Sequence, residues 1–343
     1  MIWLRLHALP HKISTTNYQH SENNTNNNKI TYRTTLICSY HNLPLIYFSL
    51  LYRLFRITAS RLSERDLWYT NDMLVTVDTG GTKTLVAGFE RDGSIGDMLR
   101  FPTPADPHEY TRILRAALTE HFGSKTVEAV VVALPGIVKN GVAVWCNNLG
   151  WKNFDAQRSL KGILGNTKIL VENDANLAGL AETRILDPMP RSTLYVTIST
   201  GIGTGFTTDG HIDPGLRLSE GGHALVEYDG TVREWESFAS GRAIYNTYGK
   251  FARDITSKRA WNHIAERISR GFLAAIPLTQ PEVIIIGGSI GSYFEHFGPQ
   301  LEALLKEKLP PHIPCPRLLQ ASHPEEAVIY GCYYYALDTL TDY

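Results

Sequence analysis

The sequence predicts an α/β fold of two lobes that face one another across a cleft. Three observations carry this. From Met73 onward, apolar strands alternate with helical stretches; two β-hairpins with Gly-rich turns recur about one lobe apart; and a polar cluster follows directly after an apolar strand. At 343 residues the chain is long enough for two lobes that each bury a core.

The elements follow in order. Met73–Asp78 reads as a strand, Thr79–Thr82 as a tight Gly-rich turn and Thr84–Glu90 as a returning strand. Apolar residues at helical spacing predict a helix over Tyr110–Phe122. Val127–Leu134 is a buried strand stopped by Pro135-Gly136, and Lys168–Glu172 is another, followed by an Ala- and Leu-rich helix over Ala175–Leu186. Thr193–Thr200, a turn over Gly201–Gly205 and Phe206–Asp209 form the second hairpin. Asp78-Thr-Gly-Gly-Thr82 with Asp92-Gly93 is echoed by Ser199–Gly205 with Asp209-Gly210, which suggests duplicated halves. Helices over Trp261–Leu278, near Pro299–Lys308 and over Pro324–Thr341, with an apolar strand Val283–Ile286 and the turn Gly287-Gly288, complete the chain.

Residues 1–72 differ in texture. Residues 21–28 are a polar, Asn-rich tract that buries too little to fold alone. The apolar patch Leu43–Leu51 is shorter than the roughly 20 residues a membrane span needs and lies too far in for a secretory signal. This segment reads as an upstream extension, disordered or set by a mis-assigned start, with Met73 beginning the working protein. The expected division is a small lobe of 73–186 plus 325–343 and a large lobe of 187–324. A formal charge of -1, with no dense basic stripe after residue 73, argues against nucleic acid or an anionic membrane as partner. Cys38, Cys146, Cys315 and Cys332 are scattered without paired spacing, which fits a reducing cytoplasm rather than a disulfide scaffold.

Three clusters carry candidate chemistry. In the Gly-rich turns, glycine permits positive φ and close approach, so that successive N–H groups converge on phosphate oxygens. Asp78 is placed to hold Mg²⁺ through water, and Lys83 and the threonines add donors. One such turn alone is more often a plain hairpin; two related turns favour phosphate. In Glu172-Asn-Asp-Ala-Asn176, helix capping and function weigh equally. At a strand end, a carboxylate there can take a hydroxyl proton as the oxygen attacks a phosphate, and Asn173 can hold a neighbouring hydroxyl. Ser219-Glu-Gly-Gly-His223, with Glu236 thirteen residues on, suits bidentate bonding to vicinal hydroxyls, although alone it would read as a solvated loop.

Taken together, Asp78-Thr-Gly-Gly-Thr82, Pro135-Gly136-Ile-Val138, Asn148-Leu-Gly-Trp151, Glu172–Asn176, Ser199–Gly205, Glu220-Gly-Gly-His223 and Glu236-Ser-Phe-Ala-Ser-Gly241 resemble, in order, the motifs of the ROK family (repressors, open reading frames, kinases) over roughly residues 73–340. The resemblance implies a two-lobed, actin-like ATPase fold of the ribonuclease H-like type and a sugar kinase that uses ATP and Mg²⁺. It implies Asp174 as the base for the sugar 6-hydroxyl, and Asn148, Asn173, Glu220, His223 and Glu236 as sugar ligands. Gly80, Gly81, Thr82, Thr200 and Gly201, with Gly203 of the same motif, line the phosphates by this likeness, and Gly287 and Gly288 sit near adenosine. A homodimer is the implied assembly.

One departure stands out. Many members carry a C-x-C-G-x-x-G-C cluster after the Gly-His that binds zinc with that histidine; here Ala224–Trp235 holds no cysteine. The expectation is no zinc, with His223 serving the sugar alone, as in the glucokinase or polyphosphate glucomannokinase branch. Glucose becomes the expected substrate, and the donor stays open between ATP and polyphosphate. The alternatives are a kinase for mannose, fructose or an N-acetylated amino sugar, and a sugar-responsive repressor of the same family. Against the repressor, the extension shows no pair of amphipathic helices around a short turn, and the phosphate turns are intact.

Overall fold

The computed structural model describes residues 73–341 except 91, 324 and 325. The expected extension, residues 1–72, lies outside the described residues.

The first sheet has the order β3-β2-β1-β4-β8. It comprises β1 (Met73–Thr79), β2 (Lys83–Phe89), β3 (Ile95–Pro102), β4 (Val127–Leu134) and β8 (Lys168–Asn173). β1 to β3 are antiparallel neighbours, whereas β4 and β8 run parallel to β1. Near-continuous apolar runs such as Val127–Leu134 suit strands covered on both faces. Helix α1 (Pro107–Phe122) covers one face with Tyr110, Leu114, Leu118 and Phe122. Asp106 caps it by accepting from the Glu109 N–H at 2.8 Å. Beside this sheet lies a small antiparallel one, β5 (Ile137–Lys139), β6 (Val142–Cys146) and β7 (Trp151–Asp155), which runs into the short α2 (Ala156–Leu160).

The second sheet repeats the plan in the order β11-β10-β9-β14-β15. Its strands are β9 (Ser192–Ile198), β10 (Ile202–Thr208), β11 (His211–Ile212), β14 (Val283–Gly287) and β15 (Arg317–Gln320). Again an antiparallel hairpin leads and parallel strands follow, so the duplication inferred from the two hairpins is real at the level of topology. Between the sheets run α3 (Asp174–Arg184) and the C-terminal helix, numbered below. Leu177 joins the core of the first sheet, and Ala178 joins Tyr195, Val283 and Ile285 of the second.

A hairpin, β12 (Leu225–Tyr228) and β13 (Thr231–Glu234), precedes α4 (Glu236–Ala239) and α5 (Gly241–Tyr248). The long α6 (Lys258–Thr279) covers the second sheet through Ile264, Ile268, Phe272 and Ile276. After β14 come α7 (Gly288–Gly291), α8 (Phe294–Lys308) and, last, α9 (Ala327–Thr341), which packs Ile329, Cys332 and Ala336 on the first sheet.

Several expectations need correction. The second Gly-rich turn is shorter than Gly201–Gly205: β10 begins at Ile202, because Gly203 and Gly205 pair with Thr197 and Tyr195 of β9. Their missing side chains leave room for α3, since a Cβ on Gly205 would lie 2.3 Å from the Ala175 carbonyl oxygen. Positive φ is also not why glycine occupies Gly80, Gly81 or Gly201; none of them lies in that region. The helix near Pro299 begins earlier, at Phe294, and the last helix begins at Ala327. The hairpins β5–β6 and β12–β13 escape apolar periodicity because their strands are short. Their signal is Asn140-Gly141 and Asp229-Gly230, both residues at positive φ (51° and 78°, 52° and 73°), as a two-residue type I′ turn demands.

Candidate active site

Register sets the site. Asp78 on β1 pairs with Ala133 on β4, which pairs with Glu172 on β8, so the parallel strands end side by side. Their ends deliver Asp78, Pro135-Gly136 and Asn173-Asp174 to one edge of the sheet. The second sheet ends β9 at Ile198, and residues 199–201 form its turn. These edges border a cavity of about 260 Å³ lined by Trp145, Asn148, Asn173, Asp174, Ser199–Gly201, Gly203, Glu220, His223 and Glu236, among others.

Asp174 opens α3 as a partly buried carboxylate. Burial is the main reason that its pKa rises to about 7; the negative charges of Asp78 and Glu220 raise it further, against a hydrogen bond from the Ala175 N–H at 2.8 Å. Asp78 is pushed up to about 6, again by burial first, with Lys83 and Arg100 pulling it down. Burial also raises Glu220, offset by His223 and reinforced by Glu236. Asp174 and Glu220 line this cavity, whereas Asp78, Gly80, Gly81, Thr82 and Lys83 are not among its lining residues; carboxyl groups with raised pKa values in a cleft mark a candidate functional site.

Asn173 does the capping weighed in the sequence. Its Oδ1 accepts from the Asn176 N–H at 2.9 Å, and its Nδ2 donates to the Gly136 carbonyl at 2.8 Å. Its amide is thereby aimed along the cavity wall. Glu172 and Asn176, in contrast, do not line the cavity.

The two turns are built differently. In the first, Gly80 N–H donates to Lys83 O (3.0 Å), and Thr103 braces it through Gly80 O (2.8 Å) and Thr82 O (3.1 Å). Gly81 faces Asn148, to whose Cβ an added methyl would come within 3.8 Å. Gly81, Thr82 and Lys83 are exposed. In the second, Glu236 Oε2 accepts the Ile202 N–H at 3.1 Å, and a Cβ on Gly201 would sit 2.6 Å from that oxygen. A side chain there would have to push the Glu236 carboxylate aside. Gly288, at φ 79°, packs against Ile198 O and Ser199 Oγ, and Ser199 Oγ accepts the Ser289 N–H at 3.0 Å.

Beyond Ser199 and Thr200 a second cavity, about 390 Å³, is lined by Arg242, Tyr245, Phe251, Arg253, Ser289, Ile290 and Tyr293. Tyr245 and Phe251 have ring centroids 4.7 Å apart, and the Arg253 guanidinium lies 4.8 Å over Phe251. Gly287 and Gly288 lie directly before its Ser289–Ile290 wall. None of these aromatic residues stands out in sequence; Tyr245 lies on α5, and Phe251 and Tyr293 lie outside the helices on either side.

His223 meets more than the sugar expectation allowed. Its Nδ1 lies 3.2 Å from Glu234 Oε2, and its ring meets Trp145 edge-on with centroids 5.2 Å apart. Ligand atoms of His223, Glu234 and Glu236 all fall within 4.8 Å of one another, close enough to hold an ion. The cysteine-free stretch 224–235 is meanwhile a hairpin held by side-chain stacking. Tyr228 lies on Phe238 at 4.6 Å and 5°, Arg233 sits 5.3 Å from the Phe238 ring, and the buried Trp235 packs on Phe272.

The model of the ROK family matches residues 74–339. This chain belongs to the ROK family. It is 27% identical over 241 residues to a putative fructokinase of Bacillus subtilis, covering 64% of this chain and 77% of that protein. To an N-acetylmannosamine kinase of Citrobacter koseri it is 30% identical over 244 residues, covering 63% and 83%. Among solved structures, the inorganic polyphosphate/ATP-glucomannokinase of an Arthrobacter strain aligns at 28% identity and TM-score 0.60, covering 78% of this chain and all of that one. As a ROK protein, the chain has the two-lobed, actin-like ATPase fold, and the relatives named above are sugar kinases. No helix among the described residues is long and apolar enough to cross a membrane.

Proposed function

We propose that this ROK protein phosphorylates the 6-hydroxyl of a free hexose, glucose before others, with Asp174 as general base and ATP as the donor, polyphosphate being the alternative. One observation carries the reading. A carboxylate with pKa near 7 faces the same cavity as Glu220, His223 and Glu236 on one side and the Ser199–Gly201 turn on the other. A base poised near neutral pH can take the hydroxyl proton as the oxygen attacks phosphorus, and the turn amides offer donors to the phosphate.

The donor set fits a divalent cation. The Asp78 carboxylate accepts no hydrogen bond from the described residues, and burial raises its pKa against the opposing charges of Lys83 and Arg100. Asp78 would hold Mg²⁺ through water, and the ion would supply charge neutralisation on the transferring phosphoryl group. Sugar ligands Asn148, Asn173, Glu220, His223 and Glu236 then orient the hydroxyl toward Asp174. The aromatic cavity beyond Thr200 suits a nucleoside, which supports ATP. Trp145, edge-on to His223, lines the cavity beside the proposed sugar ligands. His223 and Glu234 are accounted for as a mutual pair, and no zinc is assigned to them.

The lobe division 73–186 plus 325–343 against 187–324 is kept, with α3 shared between both cores. A homodimer in a reducing cytoplasm, without nucleic acid or membrane as partner, fits this reading. The test is a phosphorylation screen of glucose, mannose, fructose, N-acetylglucosamine and N-acetylmannosamine against ATP and polyphosphate, run beside a gel shift on operator-like DNA. Turnover of glucose with ATP supports the proposal. Turnover only of an acetamido sugar would move the substrate, and DNA binding without turnover would favour the repressor half of the family.

A further inference from the structure

We infer that Arg217 is a positioning residue for the catalytic base: with Glu172 and Asn176 it fastens the strand-to-helix junction that carries Asp174 to the loop that carries Glu220. This rests on the roles proposed for Asp174 and Glu220. Glu172, two residues before Asp174, is 1% exposed, yet it faces away from the sugar cavity. Its Oε1 accepts the Asn173 N–H at 2.9 Å and the Asn176 Nδ2 at 3.0 Å, while Oε2 receives the Arg217 guanidinium. Asn176 Nδ2 also donates to the Arg217 carbonyl at 2.8 Å. Both the backbone and the side chain of Arg217 are therefore tied to the junction.

The consequence falls on Glu220. Residue 221 is anchored to β10 by its N–H on Thr204 Oγ1 at 3.0 Å, and Arg217 anchors the chain three residues before Glu220. Between these two anchors Glu220 is held at the cavity. Fixing a sugar-binding carboxylate and a base relative to one another is worth much in rate, because misplacement by about 1 Å can cost on the order of 100-fold. Arg217 also reaches Tyr335 Oη of α9 at 3.5 Å, and its side chain, 40% exposed, borders a separate cavity of about 410 Å³ lined by Lys139, Gln157 and Leu218. Small solutes thus reach the ion pair without entering the sugar cavity.

The test uses the full chain and five variants: Arg217→Met, Arg217→Ala, Arg217→Lys, Glu172→Gln/Arg217→Met and Asp174→Asn. Arg217→Met strands a buried carboxylate beside the base. Its kcat/KM for sugar is expected to fall on the order of 10- to 100-fold, with the KM for ATP within about twofold, because the 199–201 turn is untouched. Arg217→Lys should retain more, and added guanidinium at millimolar concentration should restore part of the loss in Arg217→Ala. The double variant removes the stranded charge and should recover part of the loss, staying at least about fivefold below the parent chain. Sugar kinetics within twofold of the parent in folded Arg217→Met, or full recovery in the double variant, would overturn the inference. If Arg217→Met fails to fold, the double variant decides by the same criterion. Near-normal turnover by Asp174→Asn would instead sink the functional reading itself.

Discussion

Asp174 owes its pKa near 7 to burial first and to Asp78 and Glu220 second, so its chemistry and its effect on stability are opposite in sign. Replacing it by Asn should lower kcat by on the order of 10²–10⁴, the usual worth of a general base, while sugar binding persists. In the unaltered chain, kcat/KM should rise with pH through about 7 as the free base loses its proton. For stability, the folded chain keeps a proton that the unfolded chain, near the ordinary value of 3.8, has already lost. Stability therefore falls as pH rises from that value through 7. Asp174→Asn should accordingly melt higher than the parent at pH 8, and the gap should narrow toward pH 5; thermal denaturation at both values checks this. Trp145→Ala should open the sugar end and raise kcat/KM for N-acetylmannosamine relative to glucose, and an unchanged ratio would remove Trp145 from specificity. At this scale Asp174 alone was an even choice between capping and chemistry, and Glu220 with His223 alone read as a solvated loop; the ordered series of motifs made them legible in combination. Trp145, Tyr245 and Phe251 were not legible, since an aromatic residue on a short strand, a short helix or a loop looks the same whether it faces a core or a ligand.

Glycine and capping decide the elements around the site. Glu236 reaches over Gly201 to the Ile202 N–H, in space a side chain at 201 would take. Gly201→Ala should displace that carboxylate and raise KM for sugar and donor together, which initial-rate kinetics with each substrate varied would reveal. Asn173→Ala should lose the cap of α3 and cost about 1 kcal/mol of stability, read by denaturant unfolding. The strands were legible nearly to the residue where apolar runs were long, as in Val127–Leu134. The second turn was misjudged because its glycines serve two ends: Gly201 yields to Glu236, whereas Gly203 and Gly205 make room for α3 within a continuous strand. The type I′ hairpins were signalled only by Asn-Gly and Asp-Gly pairs, which carry no apolar pattern.

On the scale of the molecule, two sheets of corresponding strand order border a shared cavity, the first through Pro135-Gly136 and Asn173-Asp174 and the second through the 199–201 turn, and α3 and α9 run between them. The duplication was visible from the paired hairpins alone, because each Gly-rich turn sits between apolar strands at the same place in its sheet. The shared role of α3 was not, since its residues alternate between two cores and show weak amphipathicity. Sugar binding should draw the two halves together and exclude water from the phosphoryl acceptor. Small-angle scattering with saturating glucose should show a smaller radius of gyration than without it. The most direct measurement of the central claim is a coupled assay of glucose 6-phosphate formation from glucose and ATP, run on the parent chain and on Asp174→Asn. The account predicts turnover in the first and a loss on the order of 10²–10⁴ in the second, with glucose binding kept. Equal turnover by both would contradict it.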